Sequence, residues 1–140
     1  MKELLIVSLG SFFGGGARYL VSKVVQSAAA GSFPWGTLTV NVLGCLLIGF
    51  LAGLPWQGTA AGQGVLGHWL PKAWISPSTK LLLTTGFCGG FTTFSTFMNE
   101  SSILLKDGHE LHLALYIVLS LALGFAAVVL GQQLAKAVAA

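Results

Sequence analysis

The stretch Thr84-Thr85-Gly86-Phe87-Cys88-Gly89-Gly90-Phe91-Thr92-Thr93-Phe94-Ser95-Thr96-Phe97 carries the densest set of groups able to do chemistry. Gly86, Gly89 and Gly90 are poor helix formers, and the hydroxyls of Thr92, Thr93, Ser95 and Thr96 offer the backbone competing hydrogen bonds. Yet the stretch lies in the middle of a segment otherwise long enough to cross a bilayer. The expectation is a helix broken at membrane depth. Irregular backbone there is tolerated only where it is buried in protein or lines a wet cavity, and carbonyls freed at a break can hold a cation. Phe94 and Phe97 are three residues apart and share a face, with Ser95 and Thr96 beside them. An aromatic ring is positive at its edge, so ring edges aimed into a narrow pore tolerate a small anion. Packing against lipid or core is the other reading of the pair.

Further polar groups fall within apolar runs, where they are expensive and therefore candidate sites. Thr37 and Asn41 are four residues apart on one helical face. The Asn41 amide offers donors to an anion, or a bond to a neighbouring helix. Tyr116 and Ser120 share a face with Gly124 one turn further, giving either a row of hydroxyls or hydroxyls bonded to their own preceding turn. Arg18 either snorkels toward the interface or draws anions to a pore mouth. Glu100 lies one turn beyond the phenylalanines, with its partner undetermined. His109, Glu110 and His112 resemble a metal cluster but lack a full ligand set and read as a solvated turn. Cys45 and Cys88 lie in apolar stretches and read as small buried hydrophobes. No nucleophile–base pair or phosphate loop points to an enzyme.

The elements that position these groups are set by composition. The chain has 140 residues, 54% apolar and 8% charged, against about 25% charged in soluble domains. Its mean hydropathy is +0.82, so its main solvent is lipid. The whole chain, 1–140, reads as one all-α transmembrane domain of four helices, from about Leu4 to Val25, Gly36 to Leu54, Lys80 to Leu105 and Leu111 to Ala135. Pro55 ends the second, and Lys106-Asp107-Gly108 makes a tight turn after the third. Trp35 precedes the second helix, and Trp56, Trp69 and Trp74 lie in the loop of residues 55–79; tryptophan at helix ends favours the headgroup layer. Gly10/Gly14 and Gly49/Gly53 have the spacing that lets helices approach closely. The first apolar run is too long for a signal peptide and is interrupted by Arg18.

Charge bears on topology. With the N-terminus inside, four cations (Lys2, Lys72, Lys80, Lys136) face three (Arg18, Lys23, Lys106). Lys/Arg excess orients membrane proteins, and so even a balance allows insertion both ways. One or two local charges fixing a single orientation is the alternative. The net charge of +3 is spread along the chain and offers no nucleic-acid patch.

Three segments carry a resemblance. Gly14-Gly15-Gly16-Ala17-Arg18-Tyr19, Gly36-Thr37-Leu38-Thr39-Val40-Asn41-Val42-Leu43-Gly44, and the stretch from Gly86 to Phe97 ending Thr-Thr-Phe-Ser-Thr-Phe are similar to motifs of the Fluc, or CrcB-like, family of bacterial fluoride channels. The resemblance implies a dual-topology antiparallel homodimer with two pores in the bacterial inner membrane, exporting fluoride passively. It implies a fluoride path through Asn41, Phe94, Phe97, Thr37, Ser95, Thr96, Tyr116 and Ser120, with Arg18 at a vestibule. It further implies one structural sodium ion, held by backbone carbonyls of Gly89 and Thr92 on the dimer axis. Two departures stand out. Gly124 replaces a hydroxyl found in some members, and the loop between the second and third helices, with Gly62, Gly64, Gly67, His68 and Trp69, is long. A proton-coupled exporter, for which Glu100 is the one candidate carboxylate, and a non-transporting accessory protein are the competing readings.

Overall fold

In a computed structural model of the chain, residues 1–54 and 76–139 are described, and they are helical with short connections and no strand. Pro55, Trp56, Gly62, Gly64, Gly67, His68, Trp69, Pro71, Lys72 and Trp74 lie outside the described residues.

Among the described residues, three helices are long and apolar enough to cross a membrane: α1 (Lys2–Ala28), α2 (Trp35–Gly53) and α6, which runs from Glu110 to Ala139. At 1.5 Å per residue even the 19 residues of α2 reach about 28 Å, close to the thickness of the hydrocarbon layer. The remaining apolar segment is divided. It comprises α3 (Pro77–Leu81), a π-helical stretch (Leu82–Cys88), α4 (Gly89–Phe91) and, after two extended residues, α5 (Phe94–Lys106).

The turns follow local chemistry. α5 ends in a Schellman motif: His109 N–H donates to Leu104 O at 2.9 Å and Gly108 N–H to Leu105 O at 3.2 Å. Gly108 has φ +73°, which a side chain would resist. Between α1 and α2, the Gln26 side chain closes the turn, donating to Phe33 O and accepting from Gly36 N–H, both at 3.1 Å.

Small residues set the helix contacts. A Cβ on Gly10 would meet Leu82 O and, at 2.8 Å, Gly86 Cα, and one on Gly14 would meet Phe87 O. α1 therefore lies directly against the π-helical stretch. α2 and α6 approach in the same way, with Gly49 on the Val128 backbone and Gly131 on the Leu46 carbonyl. Both glycine pairs noted in the sequence thus pack helices within one chain. The buried cluster of Phe33, Leu38, Phe97, Leu104 and Tyr116 ties the α1–α2 turn to α5 and α6. Phe12, Phe13, Leu121 and Phe125 are among the large apolar side chains left exposed.

Candidate functional site

The interruption between α4 and α5 organises the polar residues. Thr92 (φ −89°, ψ 159°) and Thr93 (φ −150°, ψ 116°) are extended. Thr92 still bonds backward, its N–H and its hydroxyl donating to Cys88 O at 3.0 and 2.9 Å. Thr93 turns to α2. Its N–H donates to Asn41 Oδ1 at 2.9 Å, and its carbonyl accepts from Asn41 Nδ2 at 3.1 Å. The Asn41 amide thus pairs with Thr93 as a neighbouring strand would, satisfying both backbone groups of Thr93. The Thr93 hydroxyl then caps α5, accepting from Thr96 N–H at 3.3 Å and donating to Thr96 Oγ1 at 2.9 Å. One turn from Asn41, Gly44 leaves room for the Thr92 methyl group, which would collide with any Cβ there.

Two cavities meet at this point, and Thr93 lines both. One, of about 410 Å³, is bounded by Asn41, Thr92, Phe94, Phe97 and Ser120. The Ser120 hydroxyl oxygen is buried beside it without a hydrogen-bond partner among the described residues. The other, of about 550 Å³, is bounded by Arg18, Lys23, Gln26, Thr37 and Thr96. Lys23 Nζ lies 5.5 Å from the centre of the Tyr19 ring in its wall. Of the two, cationic side chains border the second cavity, while the first has an amide, hydroxyls and aromatic rings among apolar residues such as Ile48 and Leu121.

The two phenylalanines differ in environment. Their centroids are 6.0 Å apart, yet Phe97 is 8% exposed and Phe94 75%. Phe97 packs on Tyr116 with centroids 4.9 Å apart. Phe94 has one side uncovered by its own chain.

Glu100 is the group whose role the sequence left open. Thr37 Oγ1 donates to its Oε1 at 2.8 Å, and the Tyr116 hydroxyl to its Oε2 at 2.7 Å. Thr37 and the fully buried Tyr116 therefore direct their protons at a carboxylate and not into a cavity. The available signal was a lone acid one turn from the aromatic pair, within reach of hydroxyls on two other helices. Ser95 and Thr96 are exposed beside Thr93, whose hydroxyl lies 3.4 Å from Ser95 Oγ. Gly89 is exposed with open space where its Cβ would be, and the Thr92 carbonyl accepts no hydrogen bond among the described residues.

A family description, "CrcB-like protein, Camphor Resistance (CrcB)", matches residues 5–132. A protein of Chlorobaculum tepidum named "Fluoride-specific ion channel FluC" is 46% identical over 136 residues, 97% of this chain and 96% of its own. Proteins of the same name from Chlorobium chlorochromatii and Shewanella sp. are 48% and 42% identical, covering 92% and 96% of this chain and 88% and 96% of their own.

Proposed function

This chain belongs to the CrcB-like family, and from that premise we propose that it is a passive fluoride channel of the bacterial inner membrane, working as an antiparallel homodimer with two pores. The observation that carries the reading is the pair of cavities meeting at Thr93, with Arg18 and Lys23 at one and uncharged polar, aromatic and aliphatic groups at the other. Fluoride is small and strongly hydrated, so a pore must replace its water with donors. The cations raise the local anion concentration at the mouth. Deeper in, no fixed cation holds the ion too tightly to leave. Asn41 uses one amide hydrogen on Thr93 and has a second to offer, Ser120 brings a hydroxyl with no partner among the described residues, and Phe94 and Phe97 bring ring edges. Thr37 and Tyr116 act through Glu100, which fixes their orientation.

In this reading, residues 77–106 form the fourth crossing, broken within the membrane at Thr92 and Thr93. The second copy covers the exposed side of Phe94 and the open side of Gly89, which no described residue of one chain covers. The Thr92 carbonyl, without a hydrogen bond, together with the Gly89 carbonyl suits a weakly held monovalent cation such as sodium, which prefers oxygen ligands. One chain supplies half of such a cage, and its opposed copy supplies the rest. The ion's part is to bridge the chains.

The test is efflux from liposomes loaded with fluoride and reconstituted with purified protein alone. Fluoride should leave rapidly with an ionophore balancing charge and no proton gradient, while chloride stays. No efflux from correctly folded protein overturns the channel. Efflux only with a proton gradient makes it a coupled exporter through Glu100.

A further inference from the structure

His109 and His112 lie outside the proposed pore, and their arrangement is a chemistry of its own. Their ring centroids are 5.4 Å apart with planes at 87°. Two imidazoles sharing one tetrahedral ion through bonds of about 2.0–2.1 Å place their ring centres roughly 5 Å apart. The geometry points to a two-imidazole site for a borderline divalent transition-metal ion such as Zn²⁺, at the start of α6.

The site stands on fixed backbone. His109 N–H is held by Leu104 O at 2.9 Å, and its carbonyl accepts Leu113 N–H at 3.0 Å, so it closes one helix and opens the next. His112 lies in the first turn of α6, and its ring packs on Phe33 with centroids 6.1 Å apart. Phe33 is buried and contacts Tyr116 edge-on at 5.6 Å. The His112 imidazole thus stands beside an aromatic wall. Both histidines are exposed, and a metal ion and its water ligands have access. Among the described residues no group of three or more ligating side chains assembles, so water completes the coordination.

Charge around the pair is mixed. The positive end of α6 opposes a bound cation, as does Lys106, while Asp107 and Glu110 offset it. The ring packed against the pair is that of Phe33, which is uncharged. Imidazole nitrogen selects zinc, nickel and copper over calcium or magnesium.

The chain has three histidines, the third being His68, so the source of any binding can be separated. Tag-free full-length protein in detergent is titrated with Zn²⁺ by calorimetry, and with Co²⁺ by absorbance. The expected result is one ion per chain, a tetrahedral Co²⁺ spectrum without a thiolate charge-transfer band, and at least tenfold weaker binding in His109→Ala and in His112→Ala. His68→Ala should bind as the parent does. Binding that survives in both α6-site variants, that is lost in His68→Ala, or that shows a thiolate band from Cys45 or Cys88 overturns the site, as does no binding at all. Both substituted residues are exposed, and unchanged helical circular dichroism checks that the variants are folded. None of these readouts depends on fluoride conduction.

Discussion

Both heavy atoms of the Asn41 amide are paired with Thr93, so substitutions there act on a backbone clamp and on a cavity wall together. Asn41→Asp keeps the acceptor for Thr93 N–H and loses the donor to Thr93 O. An unpaired buried carbonyl costs about 1–3 kcal/mol, so the melting temperature in detergent should fall modestly. The added negative charge should lower fluoride efflux at least tenfold. Reduced stability with undiminished efflux would leave Asn41 a clamp and nothing more. The phenylalanines separate along another line. Phe97→Ala removes a buried ring from the cluster with Tyr116 and should cost about 3 kcal/mol, whereas Phe94→Ala, at an exposed position of the chain, should cost far less. For efflux, Phe94→Ile keeps bulk without the ring edge and should reduce the rate. Normal efflux from Phe94→Ile, measured with a fluoride electrode, would assign this ring to packing. Tyr116→Phe leaves Glu100 Oε2 without its hydroxyl, so this variant and Thr37→Val should be non-additive in stability.

α2 is the element that holds the site together, because one face carries Thr37 to Glu100, Asn41 to Thr93 and Gly44 to Thr92. Gly44→Val should push the break away from Asn41 and abolish efflux, with both Asn41 bonds lost. Gly124 is the contrasting case. A Cβ there meets only Cys45 Sγ at 3.5 Å, an ordinary contact. Gly124→Ser should therefore fold normally and place a second hydroxyl one turn from Ser120, leaving efflux equal or faster. A loss of folded protein would show α2 and α6 to be closer than this packing allows. Much at this scale was readable beforehand. Apolar runs located α1, α2 and α6, the Lys106-Asp107-Gly108 turn followed from its residues, and glycine spacing marked close approach. The Asn41–Thr93 and Thr37–Glu100 pairs were not readable, being 52 and 63 residues apart. Each depends on which helix faces which, and a local pattern does not carry that. Helical spacing likewise put Phe94 and Phe97 on one face, but which neighbour covers each ring is a matter of tertiary packing. The π-helical stretch has no compositional signature that sets it apart from the α-helix.

At the scale of the whole molecule, the proposed pore is unfinished in one chain, and charge decides how a second copy can join. Four Lys/Arg residues oppose three across the expected spans, and an excess of these residues on the inner side fixes orientation. With an excess of one, both orientations should form from a single chain. An antiparallel pair then requires no second gene. Shifting the balance tests this directly. Adding two lysines next to Lys2 should hold nearly all copies with the N-terminus inside. Adding them beside Lys106, in the turn that a chain of this orientation places outside, should hold nearly all copies the other way. Each variant expressed alone lacks oppositely oriented partners, so its fluoride efflux should fall at least tenfold in membrane vesicles. Expressed together, the two supply both orientations, and efflux should return. Full efflux from either variant alone, with labelling of a terminal cysteine confirming one orientation, would mean that the working unit is parallel or a single chain. In that case the exposed side of Phe94 faces lipid, and the cage at Gly89 and Thr92 has no second half.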